Sequence, residues 1–176
     1  MEKDEFNILI VDDEVNIRDS LKLILESEGY KVIDADSGEE AIKKFQNNSI
    51  DLVLLDLKMK GMSGEETLKH IKNINSETMV IILTGHATLD SSLEAIQYGV
   101  YDYLKKPVSV NDIRRLVFKA YDRWKLSNLV KHYNNALKQR YLKRNKELLS
   151  VITLSEKLRE TDSLEKGAKL VVDTIH

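Results

Sequence analysis

Short apolar runs alternate with segments of helical spacing along residues 1–118 of the chain. The five runs are Asn7–Val11, Lys31–Ala35, Leu52–Leu55, Met79–Leu83 and Tyr101–Leu104. The centres of the first, third and fourth runs are continuously apolar, which is typical of strands buried on both faces. Strands and helices that alternate five times predict a doubly wound α/β fold, with a five-stranded parallel sheet between two layers of helices.

The segments between the runs carry apolar residues at spacings of three and four, as amphipathic helices do. These residues are Ile17, Leu21, Ile24 and Leu25; Ala41, Ile42 and Phe45; Leu68 and Ile71; Leu89, Leu93 and Ile96; and Ile113, Leu116, Val117 and Ala120. The segments that start at Ser37 and Ser109 have the spacing of a capping box, with Glu40 and Asp112 as the third residue after the cap.

The alternation stops after Lys119, and helical spacing continues without proline or glycine until Gly167. We therefore expect the last helix to extend far beyond the α/β domain as an imperfect coiled coil. A further capping-box pattern at Asp162–Glu165 predicts a separate final helix. The predicted division is an α/β domain at 1–125, a dimerising helical linker at 126–160 and a short helix at 161–176.

Charge is distributed unevenly between these parts. Residues 1–118 have a net charge of −8, and residues 119–176 have a net charge of +6. The stretch Lys119–Lys146 contains nine Lys/Arg and one acid. It could bind nucleic acid, but we favour a solvated helix face, because no helix-turn-helix pattern follows it.

The chain has no cysteine, which excludes disulfides and thiolate metal sites and fits a reducing cytosol. The N-terminus has no signal-peptide pattern, and no segment reaches the roughly 18 apolar residues of a membrane span. We therefore expect a cytoplasmic protein that does not enter a membrane.

Five side chains of types that catalyse reactions or bind metals follow or end the predicted strands: Asp12, Asp13, Asp56, Thr84 and Lys106. They should meet at the carboxyl edge of the sheet, where such folds bind their ligands. Three carboxylates at one place repel each other unless a cation joins them, and oxygen ligands without His or Cys favour Mg²⁺. With Asp56 as nucleophile, Thr84 as hydroxyl donor and Lys106 as fixed positive charge, the set predicts phosphoryl transfer to a carboxylate.

The same residues carry a resemblance to the receiver domain of bacterial two-component response regulators, over roughly residues 5–125. The resemblance implies the flavodoxin-like strand order 2-1-3-4-5, and transfer to Asp56 from a histidine kinase or phosphotransfer protein. It also implies Asp13 as the main carboxylate ligand of Mg²⁺. Asp12 would assist partly through water, and the backbone carbonyl of Lys58 would be a further ligand.

The resemblance also implies a conformational switch. Thr84 would turn toward the phosphoryl group and Tyr103 would move inward, which changes the surface around the fourth helix and the fifth strand. The Lys106–Pro107 bond would be cis. The chain departs from the family at Lys60, where proline is usual, and this leaves the rigidity of the loop after Asp56 open.

These features predict a phosphorylation-dependent response regulator that is not a conventional enzyme and that forms a homodimer through its C-terminal helix. The segment from Leu148 to Ile175 is similar to the opening helices of GAF-type sensory domains, so an output module could begin there. Two alternatives remain: a single-module phosphorelay intermediate, and a DNA-binding transcriptional regulator that uses the basic helix.

Overall fold

A computed structural model describes residues 6–85 and 99–174, and its centre is a five-stranded parallel sheet of order β2-β1-β3-β4-β5. The strands are β1 (Asn7–Val11), β2 (Lys31–Ala35), β3 (Leu52–Asp56), β4 (Met79–Thr84) and β5 (Asp102–Lys105). This confirms the predicted α/β fold and its strand order. The order places β1 and β3 next to each other at the centre, which determines where the site forms.

Four helices are described: α1 (Val15–Ser27), α2 (Gly38–Asn47), α3 (Gly64–Ile74) and the long α4 (Val110–Thr174). The predicted helix marked by Leu89, Leu93 and Ile96 lies outside the described residues. At the start of α4, Ser109 Oγ accepts a hydrogen bond from the Asp112 N–H at 3.1 Å and donates to Asp112 Oδ2 at 2.7 Å. The predicted N-cap bond is therefore present, whereas the return bond to Asp112 comes from the Ser109 hydroxyl and not from its backbone N–H, so the predicted capping box is only half formed.

The sheet is buried on both faces because alternate residues of its central strands point to opposite sides. On one face, Ile8, Ile10, Leu52, Leu54, Ile81 and Leu83 form a cluster with residues of α1 and α4, among them Leu21, Leu25, Ile113 and Val117. On the other face, Leu9, Val11, Val53, Leu55, Val80 and Ile82 form a cluster with Ala41, Phe45, Leu68 and Ile71 of α2 and α3. The continuous apolar runs of the central strands therefore supply side chains to the hydrophobic core on both faces of the sheet.

The capping box predicted at Ser37 is wrong. The Ser37 hydroxyl donates to Asp36 Oδ1 at 2.9 Å, and the Glu40 carboxylate accepts from the Asp36 N–H at 2.9 Å. A complete capping box lies instead at the start of α3, where Ser63 Oγ accepts from the Glu66 N–H and Glu66 Oε2 accepts from the Ser63 N–H. Both segments have the required spacing, so spacing alone does not select between them.

An aromatic cluster joins residues 121–124 of α4 to the amino edge of the sheet. Trp124 and Phe6 have ring centroids 5.3 Å apart, and Tyr121 lies 5.6 Å from Phe6. Trp124 Nε1 also donates to Asp51 Oδ1 at 2.7 Å. Trp124 therefore packs against the α/β core.

The chain forms two compact units, Met1–Leu126 and Ser127–His176. In the second unit, α4 stays helical through Asp162, so the separate helix predicted to begin there is wrong. The assignment of distinct roles to 126–160 and 161–176 stays a prediction. Among the described residues, no helix contains a stretch apolar enough to cross a membrane.

Candidate functional site

The register of the sheet brings the predicted site residues to one edge. Val11, the last residue of β1, pairs with Leu55 of β3, so Asp12 and Asp56 follow at adjacent strand ends. In β4 and β5, Thr84 pairs with Lys105, and the Lys106 N–H donates to the Thr84 carbonyl at 2.7 Å. Parallel strands share a carboxyl edge, and residues far apart in sequence therefore meet there.

Three carboxylates form a compact cluster at this edge. One oxygen from each of Asp12, Asp13 and Asp56 lies within 4.8 Å of the others. Asp12 is fully buried, Asp56 is 5% exposed, and Asp13 is partly exposed. Within the described part of the chain, the Asp13 carboxylate has no hydrogen-bond or ion-pair partner, so its oxygens are available to a ligand. The cluster suits a hard divalent cation such as Mg²⁺, since its donors are carboxylate oxygens.

Lys106 supplies the positive charge of the cluster. Its Nζ lies 2.7 Å from Asp12 Oδ2 and 2.7 Å from Asp56 Oδ2, and 3.8 Å from Glu14 Oε1. Burial by itself would lower the pKa of Lys106, but the hydrogen bonds and charges of Asp12 and Asp56 outweigh it and raise the pKa above its usual value. Lys106 therefore stays an ammonium ion and holds two of the carboxylates together.

The carboxylate of Asp56 is held on both oxygens. Oδ1 accepts the Lys58 N–H at 3.1 Å, and Oδ2 accepts from Lys106. Gly64 packs directly against the Asp56 backbone: a Cβ at Gly64 would collide with the Asp56 carbonyl oxygen, and the Gly64 N–H donates to the Leu57 carbonyl at 3.1 Å. Asp56 is thus held in place by the loop that follows it. Lys58 as a metal ligand through its carbonyl stays a prediction.

The two predicted switch residues lie on neighbouring strands. Thr84 ends β4 and is partly buried, while Tyr103 of β5 is 51% exposed and pairs with Ile82. Their movements on phosphorylation stay predictions. The Lys106–Pro107 peptide bond is cis, as expected.

Sequence reasoning missed Arg18, which supports the cluster from α1. Its Nη1 donates to the Asp12 carbonyl at 2.7 Å, and its Nε lies 3.7 Å from Asp34 Oδ2. The Glu14 N–H also holds the Asp12 carboxylate, because it donates to Asp12 Oδ1 at 2.9 Å. Because Arg18 acts on a backbone oxygen, no pattern of charged residues along the chain indicates its role.

Comparison with known proteins places this geometry in context. The response regulator receiver domain family matches residues 8–118. The transcriptional regulatory protein ZraR of Klebsiella oxytoca is 35% identical over 127 residues, covering 72% of this chain and 29% of ZraR. The regulatory protein AtoC of Escherichia coli K12 is 32% identical over 130 residues, covering 74% of this chain and 28% of AtoC.

A solved structure has the same fold. The response regulator receiver domain protein from Clostridium thermocellum is 41% identical, with a TM-score of 0.64, and the match covers 69% of this chain and 98% of that structure. The chain spans less than a third of the length of the curated relatives ZraR and AtoC. The match thus covers most of the first compact unit.

Proposed function

The chain belongs to the receiver-domain family of two-component response regulators, and we propose that Asp56 is the residue that accepts the phosphoryl group. The donor is a histidine kinase or a phosphotransfer protein. The observation that carries the proposal is the convergence of Asp12, Asp13 and Asp56 with Lys106 at one edge of the sheet. No described residue outside this edge offers a comparable set of carboxylates.

The transfer requires one bond to form and one to break. A carboxylate oxygen of Asp56 forms the new bond to phosphorus, the phosphorus–nitrogen bond of the donor phosphohistidine breaks, and the imidazole keeps the electron pair. Catalysis of such a step is mainly positioning and charge stabilisation. Lys106, 2.7 Å from Asp56, is placed to bind an oxygen of the incoming phosphoryl group. The protein promotes its own phosphorylation and dephosphorylation and is not a conventional enzyme.

Asp12, Asp13, Asp56 and the Lys58 carbonyl would hold Mg²⁺. The donor set fits this ion because all the groups are oxygens, and because the Asp13 carboxylate has no other partner in the described residues. When bound, Mg²⁺ neutralises negative charge on the phosphoryl oxygens. Lys106 and the ion would then share the charge of the three carboxylates.

The switch follows from the new charge at Asp56. Thr84, at the end of β4, would turn toward the phosphoryl group and donate a hydrogen bond to it from its hydroxyl. Tyr103 would then move inward from its half-exposed position into the space that Thr84 leaves. The negative charge of the phosphoryl group would thus favour one of two arrangements of Thr84 and Tyr103 over the other. The surface around β5 would change as a result, and with it the protein partner that this surface prefers to bind.

We further propose that the second unit forms a homodimer through α4. Its described side chains include large exposed apolar residues at helical spacing: Leu129, Val130, Tyr133, Leu137, Tyr141, Leu142, Leu148, Leu149, Val151 and Ile152. A helix with such a face needs a partner to cover it. Light scattering should give a dimer mass for the chain and a monomer mass for residues 1–126; equal oligomeric states would contradict the pairing.

The remaining assignments are proposals of the same kind. We place the protein in the cytoplasm, where histidine kinases present their phosphoryl groups, and we take residues 161–176 as the start of a GAF-like output module. Control of transcription is a second candidate for the whole protein, favoured by the names of ZraR and AtoC. Steeply salt-dependent binding to duplex DNA by this chain would support direct use of its basic segment.

Labelling tests the acceptor directly. The chain is incubated with Mg²⁺ and acetyl phosphate, or with a phosphorylated kinase, and intact mass reports the added phosphoryl group. Asp56→Asn should abolish labelling, because an amide is a poor nucleophile. Asp36→Asn is the control, since it changes an exposed carboxylate just beyond the end of β2. Persistent labelling of the Asp56→Asn chain would refute the assignment.

A further inference from the structure

The loop that follows Asp56 is contacted by the first turn of α2. This acceptor loop, residues 57–63, carries Lys58 and leads into α3. The Met62 N–H donates to Glu39 Oε1 at 3.2 Å. A Cβ built on Gly61 would lie 3.3 Å from the same oxygen, so the Glu39 carboxylate rests against two consecutive residues of the loop.

A second contact joins the same elements in the interior. Gly38, the residue before Glu39, is buried, and a Cβ there would collide with Thr67 Oγ1 and lie 3.0 Å from the Cβ of Met62. Thr67 is fully buried and donates to the Ser63 carbonyl at 2.9 Å. The absence of a side chain at Gly38 therefore lets α2 approach closely, which puts Glu39 within reach of the loop.

The loop has little internal support between its ends. Lys58 bonds to Asp56 at one end, and Gly64 bonds to Leu57 at the base. Among the described residues, the N–H groups of Met59 to Gly61 donate no hydrogen bond, and Gly61 has a φ of +80°, which favours glycine. The Met62 N–H, which follows this section directly, donates to Glu39, and this bond ties the loop to α2.

We propose that Glu39 is a positioning residue for phosphoryl acceptance: its carboxylate holds Gly61 and Met62, and so keeps the Lys58 carbonyl in place at the Mg²⁺ site. The inference rests on the proposed function, because it takes that carbonyl as a metal ligand. Glu39 itself is exposed and does not touch the carboxylate cluster. It acts through the loop, as residues behind metal ligands commonly do.

A plain structural role for Glu39 predicts something different. An acidic residue in the first turn of a helix stabilises that helix through its charge, and such an effect would leave the loop and the metal unchanged. The proposal instead requires an acceptor oxygen at the Met62 N–H, whether or not it is charged. Glu39→Gln keeps that oxygen and removes the charge, whereas Glu39→Ala removes both.

The experiment is calorimetric titration of the full chain with Mg²⁺. Glu39→Ala should weaken Mg²⁺ binding by about tenfold, at the low end of the effect of residues behind metal ligands, and Glu39→Gln should stay close to the parent. Glu65→Ala is the charge control, because Glu65 is an exposed acid in the first turn of α3 with no described partner, and it should bind as the parent does. Equal weakening by the Gln and Ala variants, or by the Glu65 variant, would overturn the proposal in favour of a charge effect.

Hydrogen exchange provides an independent readout. Glu39→Ala should accelerate exchange of the Met62 amide, with Glu39→Gln close to the parent; unchanged exchange in the Ala variant would overturn the proposal. The two hypotheses fail differently. A parent chain that does not bind Mg²⁺ would refute the proposed function, whereas a parent that binds it and a Glu39→Ala chain that binds equally well would refute only the role of Glu39.

Discussion

Replacing Trp124 by phenylalanine tests how the amino edge of the sheet secures α4. The indole N–H donates to Asp51 Oδ1 at 2.7 Å, and Asp51 Oδ2 accepts from the Asn7 N–H at 2.9 Å. Asp51, which directly precedes β3, therefore connects the start of β1 with Trp124 of α4. Phenylalanine keeps an aromatic ring beside Phe6 but removes the donor, so the substitution isolates the hydrogen bond as far as a single change can.

The expected loss at neutral pH is about 2 kcal/mol. A hydrogen bond to a charged group contributes about 1.5–3 kcal/mol, and the lower end applies because Asp51 is partly exposed and keeps its bond to Asn7. The smaller ring gives up part of its contact with Phe6 and Tyr121, worth about 0.5 kcal/mol. Domains of this size are stable by about 5–15 kcal/mol, so the variant should fold.

The loss should depend on pH. Burial raises the pKa of the Asp51 carboxyl, although the hydrogen bonds from Asn7 and Trp124 act in the opposite direction. A carboxyl whose native pKa lies above its unfolded value contributes stability that is fully present below the unfolded pKa, about 3.9, and is lost as pH rises through the native pKa. Removing the indole donor raises the native pKa further. The stability difference between parent and variant should thus be largest near pH 7 and shrink toward pH 4.

The assay is hydrogen exchange of the β1 and β3 amides in increasing urea, at pH 7.5 and at pH 4.5. These amides report the first unit alone, which matters because the chain has two units. The same substitution in an Asp51→Asn background is the control, because there the pH dependence should vanish and the loss should become smaller. An equal loss at both pH values and in both backgrounds would refute the hydrogen bond as the cause.

Three further substitutions concern the site. Asp13→Ala should weaken Mg²⁺ binding by more than about tenfold in calorimetry, and an unchanged affinity would exclude Asp13 as a ligand. Lys106→Met should lower the free energy of unfolding without Mg²⁺ by about 3–5 kcal/mol, because it leaves buried carboxylates unpaired; urea unfolding should show Mg²⁺ restoring part of the loss, and no restoration would contradict the site. Gly64→Ala should slow labelling of Asp56 by acetyl phosphate and destabilise the chain by about 1–3 kcal/mol, since its Cβ would meet the Asp56 backbone; parent-like labelling would contradict that contact.

The sequence alone determined the architecture and the membership of the site. The apolar runs at Ile8–Val11 and Leu52–Leu55 are long enough to be strands and too uniformly apolar to face water, so they belong at the centre of a two-sided sheet. In a parallel sheet every strand ends at the same edge, so that Asp12 and Asp56 had to be neighbours once the strand order was known. The two-sided sheet follows from periodicity along the chain, whereas the strand order was what the resemblance to receiver domains implied.

The tertiary structure alone decided which groups touch. It selected Ser63 rather than Ser37 as the site of a capping box, directed Trp124 to Asp51 rather than to a helical partner, and brought Arg18 to the Asp12 carbonyl and Glu39 to Met62. Each of these outcomes depends on how closely separate elements approach, within a few tenths of an ångström. Residue spacing along the chain carries no such information, because the approach is set by the packing of the whole core.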